Sequence, residues 1–321
     1  MKILLASQID SDALQTLQKQ HDVVSGIGSG EETLATLIQD REALVFRSGV
    51  NITADLMSRA PGLRLLIRAG SGLDNIDMEY LRNNGLELVR IPGPGARAVA
   101  ELAFGMMLAL SRQILVADRL LRGGTWAKHQ LTGHLLKNKQ LGIVGLGNIG
   151  TLLGEMGLAW GMQVLGCVEH PSEKRAAEFR GRGMQLTDFT SVLSSADYLC
   201  LCVPLKSTTS NLIGTEELAL MKPGSYLLNM ARGGIVDEDA LSLALREGIL
   251  AGAALDVHQA EGDNRVSPLA DLPNVVLTPH IGAMTIDSQR EIGRRIIDII
   301  EAFARSEQMA GYDAPKINQP L

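Results

Sequence analysis

The chain contains few residues that could crosslink it or bind a metal ion. Its 321 residues include three cysteines, Cys167, Cys200 and Cys202, and their spacing fits no metal site. All three fall in predicted buried strands, where cysteine behaves as a small hydrophobic side chain, so we expect neither a metal site nor thiol catalysis. A chain of this length can bury a core without disulfides, as one large domain or two ordinary ones.

Long apolar runs and a secretory signal are also missing. The apolar N-terminal segment reaches Asp10 and Asp12 too early for a signal peptide. The most apolar helical segment, Leu102 to Leu110, is followed at once by Ser111 and Arg112, which makes it too short to cross a bilayer. We therefore expect a cytoplasmic protein without a membrane partner.

Positive charge is in deficit. The 30 Lys and Arg residues against 36 Asp and Glu residues give a formal net charge of −6. This balance argues against nucleic acid or an anionic membrane as the main partner. A protein of this charge that binds an anionic small molecule must use local positive charge, so individual arginines carry information.

Glycine, by contrast, is concentrated where a nucleotide could bind. The apolar strand candidate Leu141–Val144 leads directly into Gly145-x-Gly147-x-x-Gly150 and a helical segment. In this arrangement the first glycine makes the turn, the second lets a pyrophosphate approach the backbone, and the third lets the helix pack on the strand. The glycine pattern alone is weak evidence, but its position between a strand and a helix predicts a dinucleotide site.

Strands and helices alternate along most of the chain, which predicts an α/β fold with parallel sheets. A first, smaller unit ends at the Pro92–Gly95 break, and a long helix follows from Ala98 to Arg122. The predicted strands of the first unit are Ile3–Ala6, Ala43–Arg47, Leu65–Arg68 and Glu87–Arg90. Those of the second unit are Leu141–Val144, Gln163–Val168, Tyr198–Val203, Ser225–Asn229, Ala251–Asp256 and Val275–Thr278.

Polar groups follow three neighbouring strands of the second unit. Arg232, Asp256 and His280 each stand at or just past a predicted strand end, and Glu261 lies in the loop after Asp256. Ligands bind beyond the carboxyl ends of strands in such sheets. We expect Arg232 to bind a substrate carboxylate, His280 to exchange a proton with a keto oxygen, and Glu261 to orient His280. Each residue alone would more often be structural, so the prediction rests on their joint position.

Several segments together resemble the D-isomer-specific 2-hydroxyacid dehydrogenases over nearly the whole chain. They are Gly145–Gly150, Met221–Leu241 with its Ala-Arg-Gly-Gly sequence, Ala254–Val257 and Leu277–Gly282 with its Pro-His-Ile-Gly sequence. The resemblance implies Arg232, Glu261 and His280 as the catalytic set. It leans toward the phosphoglycerate dehydrogenase branch, although we expect no regulatory domain after the last helix.

The resemblance also implies a domain organisation. The fold would comprise two Rossmann-like, doubly wound parallel-sheet domains with a cleft between them. Residues 1–95 and 286–321 would form a discontinuous, flavodoxin-like substrate-binding domain. Residues 96–285 would form the NAD-binding domain, and about 98–135 within it would be the arm of a homodimer.

Cofactor and substrate contacts follow from the same resemblance. The implied cofactor-binding residues are Gly145, Gly147, Asn148, Ile149, Gly150, Glu169, Pro204, Ala231, Asp256 and Gly282, with Asp256 facing the nicotinamide amide. Substrate would contact Arg47, which follows Phe46 as in the phosphate-binding segment of phosphoglycerate dehydrogenases. Gly70, Ser71 and Gly72 could also form a backbone nest for a carboxylate, although a plain tight turn explains them equally well.

The choice of dinucleotide depends on the end of the second strand of the Rossmann unit. The ribose-binding position of the family falls on Val168, with Glu169 next to it. A Glu169 carboxylate could bind the ribose hydroxyls and repel a 2′-phosphate, which favours NAD. His170, Lys174 and Arg175 would favour NADP if they turn inward.

The sequence therefore predicts an NAD-dependent oxidoreductase that acts on a small 2-hydroxy or 2-keto acid. D-3-Phosphoglycerate is the first substrate candidate, and reduction of glyoxylate or hydroxypyruvate is the alternative. A redox-sensing, corepressor-like binding protein is an alternative from another class. A formate or phosphite dehydrogenase would share the fold, but the formate enzymes carry Gln where Glu261 stands.

Overall fold

The computed structural model describes residues 1–310 of the chain, which fold as two compact units. One unit contains Met1–Gly95 together with the chain from Met284 onward, and the other contains Ala96–Ala283. Residues 311–321, which the resemblance implies to be part of the substrate-binding domain, lie outside the described part. Each unit is a parallel sheet covered by helices, so the α/β prediction is confirmed.

The sheet of the first unit has five parallel strands in the order β2-β1-β3-β4-β5 within the described residues. The strands are β1 (Lys2–Leu5), β2 (Asp22–Ser25), β3 (Ala43–Phe46), β4 (Leu65–Arg68) and β5 (Glu87–Arg90). The sequence missed β2, an edge strand that has only two valines between polar ends. The two central strands β3 and β4 are buried throughout.

The sheet of the second unit has seven parallel strands in the order β12-β11-β10-β9-β6-β7-β8, again counted over the described residues. The strands are β6 (Gln140–Val144), β7 (Gln163–Cys167), β8 (Gln185–Leu186), β9 (Tyr198–Leu201), β10 (Tyr226–Asn229), β11 (Gly252–Leu255) and β12 (Val275–Leu277). The sequence missed only β8, a two-residue edge strand. The strand order runs outward from β6 in both directions, so the topological switch point lies at β6.

Helices connect successive strands in both units. The first unit contains α1 (Ser11–Gln20), α2 (Glu31–Leu37), α3 (Ala54–Ser58), α4 (Met78–Asn83) and α12 (Ile286–Ala310). Connecting and covering the second sheet are α5 (Gly93–Ser111), α6 (Ile114–Arg122), α7 (Asn148–Ala159), α8 (Glu173–Gly181), α9 (Phe189–Ser195), α10 (Thr215–Leu220) and α11 (Glu238–Arg246). Asp10 caps α1, because its side chain accepts from the N–H groups of Asp12 and Ala13.

The single long helix expected from Ala98 to Arg122 is wrong, because α5 and α6 meet at a bend of 62°. The C=O of Ser111 accepts a hydrogen bond from His134 N–H at 2.8 Å, and Gln113 adopts a left-handed φ of 52°. These features end α5 before Ile114. Within residues 1–310 no single helix has the length and apolar composition to cross a membrane; only this bent pair, taken together, meets those criteria.

Helix α12 belongs to the first unit because it completes a hydrophobic face there. Ile292, Ile296 and Ile300 are buried in one cluster with Ala13 and Leu17 of α1 and with side chains of the central strands. The opposite face of the same sheet is covered by a second cluster that includes Leu4, Leu44 and Leu66. Successive apolar side chains of each strand therefore point to opposite faces of the sheet, and both faces are packed against hydrophobic clusters.

Close packing of α12 on α1 generates a stability prediction. A Cβ added at Gly293 would lie 2.8 Å from the Cβ of Ala13 and 3.0 Å from that of Asp10. We expect Gly293→Val to lower the free energy of unfolding by about 1–3 kcal/mol through overpacking. Chemical denaturation followed by circular dichroism measures this change. Arg294→Ala alters an exposed position of the same helix and is expected to leave stability nearly unchanged; equal stability of both variants would contradict the packing argument.

Candidate active site

The loop from β6 to α7 has the shape that a dinucleotide pyrophosphate requires. Gly145 has φ of +99°, and a Cβ there would lie 2.7 Å from the carbonyl O of Cys202. A Cβ at Gly150 would strike the carbonyl O of Gly145. At Gly147, in contrast, a Cβ would meet nothing within 4 Å, and α7 begins there without a side-chain cap. The tight turn, the open space and the uncapped helix N-terminus together fit an anionic group.

Three strand-end residues share one edge of the same sheet. Arg232 follows β10, Asp256 follows β11 and His280 follows β12, and these strands are neighbours in the order β12-β11-β10. Because the strands are parallel, their carboxyl ends lie at the same edge. The spatial grouping expected from the sequence is therefore present within the second unit.

Asp256 fixes the loop that carries His280. Its Oδ1 accepts from Thr278 Oγ1 at 2.6 Å and from Ile281 N–H at 2.9 Å, and its Oδ2 accepts from Gly282 N–H at 2.8 Å. The residue is only 3% exposed. Three donors therefore hold a buried carboxylate, and a side chain at Gly282 is excluded because its Cβ would lie 2.8 Å from Oδ2.

His280 itself has an uncommon backbone. Its φ is 54°, in the left-handed region that residues with a Cβ rarely adopt, and its N–H donates to the carbonyl O of Asp256 at 2.7 Å. Backbone conformations of this kind persist where the surrounding contacts determine them. Here the hydrogen bonds of Asp256 hold this backbone conformation, which fixes the direction in which the His280 side chain leaves the chain.

The His280 imidazole pairs with Glu261. Nδ1 of His280 lies 3.0 Å from Oε2 of Glu261, and both side chains are partly exposed. Partial burial raises the pKa of Glu261, but the hydrogen bond and charge of His280, with smaller contributions from His258, outweigh burial. The pKa of Glu261 consequently lies below its ordinary value, which keeps the carboxylate ionised beside the ring.

A buried carboxylate that the sequence reasoning missed fastens the Glu261 loop. Glu238, in the first turn of α11, accepts from Gln259 N–H at 2.6 Å and from Ser267 Oγ at 3.0 Å. It is 3% exposed. In the sequence Glu238 follows the capping residue Asp237 and resembles an ordinary acidic first turn, so no local signal distinguishes it.

The Arg232 loop is held by Asn229, the last residue of β10. Asn229 Oδ1 accepts from Ala231 N–H at 3.1 Å, and its Nδ2 donates to the carbonyl O of Arg232 at 3.0 Å. A Cβ at Gly233 would overlap the carbonyl O of His258. The loops after β10 and β11 therefore touch through their backbones, which requires glycine at this position.

The other predicted cofactor residues occupy the same edge of the sheet. Asn148 and Ile149 open α7, and the carbonyl O of Pro204 accepts from Thr209 Oγ1 at 2.7 Å. Glu169 follows β7, and its Oε2 lies 2.7 Å from Nζ of Lys206, whose hydrogen bond lowers the pKa of that carboxyl. Lys206 had not been predicted as a site residue.

The predicted substrate residues lie in the first unit. Nη1 of Arg47 donates to Gln289 Oε1 at 2.7 Å and contacts Met284 Sδ, and burial lowers the pKa of Arg47. In the Gly70–Gly72 turn, the N–H of Gly70 donates to the carbonyl O of Arg68 at 2.8 Å. That N–H is therefore engaged within the turn itself.

Metal chemistry has no obvious location in the described residues. Within them, no group of three or more His, Cys, Asp or Glu side chains is arranged to hold a metal ion. Cys167 and Cys200 are buried in the hydrophobic clusters, and burial raises the pKa of Cys167 to about 11. A thiol with that pKa is protonated at neutral pH and is a poor nucleophile.

Comparison with known proteins assigns the family. The model of the D-isomer specific 2-hydroxyacid dehydrogenase NAD-binding domain matches residues 104–282. The hydroxypyruvate reductase of Thermotoga maritima is 36% identical over 295 residues, which cover 91% of this chain and 94% of that protein. The chain therefore belongs to the D-isomer specific 2-hydroxyacid dehydrogenase family.

Two further proteins are similar over most of the chain. The D-3-phosphoglycerate dehydrogenase of Methanocaldococcus jannaschii is 38% identical over 307 residues, covering 96% of this chain. The match spans only 58% of that longer relative. The structure of D-lactate dehydrogenase from Aquifex aeolicus, complexed with NAD and lactic acid, has a TM-score of 0.84 at 26% identity. Its alignment covers 98% of this chain and 100% of that one.

The Asp256 contacts generate a testable prediction. Asp256→Asn replaces one acceptor oxygen by a donor, so at least one of the N–H groups of Ile281 and Gly282 loses its carboxylate partner. We expect a loss of about 3 kcal/mol in the free energy of unfolding and faster amide exchange in residues 278–282. Chemical denaturation and hydrogen–deuterium exchange mass spectrometry measure the two effects.

Asp263→Asn makes the same chemical change at an exposed position and serves as the control. It is expected to change neither quantity. Unaltered exchange of residues 278–282 in Asp256→Asn would show that the carboxylate does not hold the loop.

Proposed function

We propose that the protein is an NAD-dependent D-2-hydroxyacid dehydrogenase whose catalytic residues are Arg232, Glu261 and His280. The observation that carries this proposal is the contact of 3.0 Å between His280 Nδ1 and Glu261 Oε2. It occurs at the sheet edge that also carries the glycine loop. A hydrogen-bonded carboxylate and imidazole form the acid–base pair that reversible reduction of a keto group requires.

Each catalytic residue has a distinct task in keto-acid reduction. A nicotinamide bound at the glycine loop would supply the hydride for the keto carbon. Arg232 binds the substrate carboxylate through its planar guanidinium and polarises the keto oxygen. His280, with Nδ1 bonded to Glu261, donates the proton on Nε2 to that oxygen. Glu261 fixes the ring orientation and stabilises the imidazolium before transfer, and in the oxidation direction His280 takes the proton back.

We assign the cofactor role to the second unit and the substrate role to the first. Gly145–Gly150 would hold the pyrophosphate at the start of α7, with Asn148 and Ile149 in its first turn. Glu169 would bind the ribose hydroxyls of NAD. Pro204, Ala231, Asp256 and Gly282 complete the proposed cofactor set; Asp256 reaches the nicotinamide amide only if it retains an acceptor site beyond its three loop contacts.

The substrate that we favour is D-3-phosphoglycerate, or 3-phosphohydroxypyruvate in the reverse direction. Arg47 supports this choice, because its side chain is partly buried and forms no ion pair with the residues that the structure describes. Such a cation gains most from an anionic ligand. Gly70, Ser71 and Gly72 would contribute backbone contacts, mainly from Ser71 and Gly72.

Hydroxypyruvate or glyoxylate is the second substrate candidate. The Thermotoga maritima relative, named a hydroxypyruvate reductase, matches this chain over nearly its whole length. The phosphoglycerate dehydrogenase relative is considerably longer than the match. In a hydroxypyruvate reductase Arg47 would have no phosphate to bind.

The arm around α6 favours a homodimer. Large apolar side chains are exposed there, namely Ile114, Leu115, Leu121, Trp126 and Leu135. Monomeric proteins rarely expose so many large apolar side chains in so short a segment. We propose that a second copy of the chain covers this segment, which we assign as the dimerisation arm.

Glu261→Gln tests the acid–base pair by removing the charge beside the imidazole. The pKa of Glu261 lies below its ordinary value, so its carboxylate is ionised at neutral pH. The amide keeps a similar shape but loses this charge, and we expect kcat for keto-acid reduction to fall at least about tenfold, as for the loss of one charge-assisted hydrogen bond. Steady-state rates of NADH oxidation at pH 7 measure the change.

His280→Asn provides the reference for the same experiment. It should lower kcat by about 10²–10⁴-fold, the range expected when a general acid is lost, with NADH binding preserved. An unchanged kcat in Glu261→Gln would refute the role of Glu261, and turnover near the normal level in His280→Asn would refute that of His280.

An NADH-oxidation screen tests the substrate. The panel contains phosphohydroxypyruvate, hydroxypyruvate, glyoxylate, pyruvate and branched 2-keto acids, and we expect the highest kcat/KM for phosphohydroxypyruvate. Arg47→Met should raise KM for that substrate at least about tenfold through loss of a charge-assisted contact. KM for the unphosphorylated acids should change little. A KM for phosphohydroxypyruvate that Arg47→Met leaves unchanged would exclude the phosphate contact.

A further inference from the structure

An ion pair spans the glycine loop at the switch point of the second sheet. Glu169 follows β7 and Lys206 follows β9, and these strands flank β6 on opposite sides. At the usual interstrand spacing, β7 and β9 lie about 10 Å apart. Nζ of Lys206 nevertheless reaches Oε2 of Glu169 at 2.7 Å. The pair therefore joins the two segments that border the carboxyl end of β6.

The backbone that carries Lys206 is fixed by its own turn. Lys206 N–H donates to Thr209 Oγ1 at 2.8 Å, and the Lys206 carbonyl O accepts from Ser210 N–H at 2.9 Å. Thr209 Oγ1 also donates to the carbonyl O of Pro204 at 2.7 Å. Because the turn is closed by these bonds, a change of partner by Lys206 requires only rotation of its side chain.

The pair alters the electrostatic argument that assigns NAD to this site. A carboxylate at the position of Glu169 selects against NADP because it repels a 2′-phosphate. Here a lysine ammonium at hydrogen-bond distance compensates that carboxylate. Both side chains are about half exposed, so water screens the pair and exchanging one partner for another costs little. A phosphate offers Lys206 a more highly charged acceptor than a carboxylate does.

We propose that Lys206 is a cofactor-specificity residue. Its ammonium group breaks the ion pair with Glu169 and binds the 2′-phosphate of NADPH, so that the site accepts both NADH and NADPH. This inference rests on the proposed dehydrogenase function. Glu169 binds the ribose hydroxyls of NADH, and Lys206 compensates the added charge when the ribose is phosphorylated. Discrimination between the two dinucleotides is therefore set by the pair and not by Glu169 alone.

Lys206→Met tests the assignment by direct binding. Dissociation constants for NADH and NADPH are measured by fluorescence titration without substrate, at one fixed ionic strength. We expect the ratio of the NADPH constant to the NADH constant to rise at least about tenfold, as for the loss of one charge-assisted bond. NADH binding should change much less. Glu169→Gln should move the ratio in the opposite direction, because it frees Lys206 and removes the repulsion.

Lys222→Met is the matched control. Lys222 forms an ion pair with Asp197 at 2.7 Å, and its side chain is 49% exposed, against 47% for Lys206. It precedes β10 and so lies at the amino-terminal ends of the strands, away from the glycine loop. The Lys222→Met substitution removes the same charge and should leave the ratio of dissociation constants unchanged. Thermal unfolding of each variant verifies that the fold is retained.

The outcomes separate the two proposals. An unchanged ratio in Lys206→Met, or an equal change in Lys222→Met, would overturn the role of Lys206 and leave the dehydrogenase function standing. Failure of the unaltered protein to bind NADPH while it binds NADH would also overturn that role. Failure to bind either dinucleotide would contradict the dehydrogenase function and this inference together.

Discussion

The carboxylate of Asp256 is the constraint on which the geometry at this sheet edge depends. It is buried at the end of β11 and accepts three hydrogen bonds from the segment that follows β12. Those bonds hold His280 in a left-handed backbone conformation that the residue would otherwise avoid. The orientation of the imidazole, and with it the Glu261 contact, follows from one charged group in a neighbouring loop.

Two buried acids thus act as structural residues behind the two partly exposed residues of the proposed acid–base pair. Asp256 holds the loop of His280, and Glu238 holds the loop of Glu261. Each satisfies backbone N–H groups that no strand or helix would satisfy. Asp256 stands at the end of a strand inside the sheet, and Glu238 stands in the first turn of a helix. Regular elements of this kind hold His280 and Glu261 more precisely than loops alone would.

Much of this could be read from the sequence, for identifiable physical reasons. Most of the ten predicted strands are continuous apolar runs, as expected for buried parallel strands. The two missed strands, β2 and β8, lie at sheet edges, although the edge strand β5, which has the same exposed ends as β2, was predicted. Arg232, Asp256 and His280 could be grouped because parallel strands end together. The bend between α5 and α6 was not predicted; it coincides with the left-handed Gln113 and with a hydrogen bond from His134, a residue distant in sequence, to the end of α5. Glu238 and Lys206 were missed because their partners lie 21 and 37 residues away.

The loop after β11 is attached at two points, so the position of Glu261 does not depend on the sequence of the exposed segment beside it. Glu238 ties the loop at Gln259 and again at Ser267, which leaves the exposed residues between Gly262 and Val266 outside the clamp. Replacements in that short segment can change the surface beside Glu261 while the two hydrogen bonds to Glu238 persist. The segment is therefore a region in which substrate preference could be altered without disturbing the proposed Glu261–His280 pair.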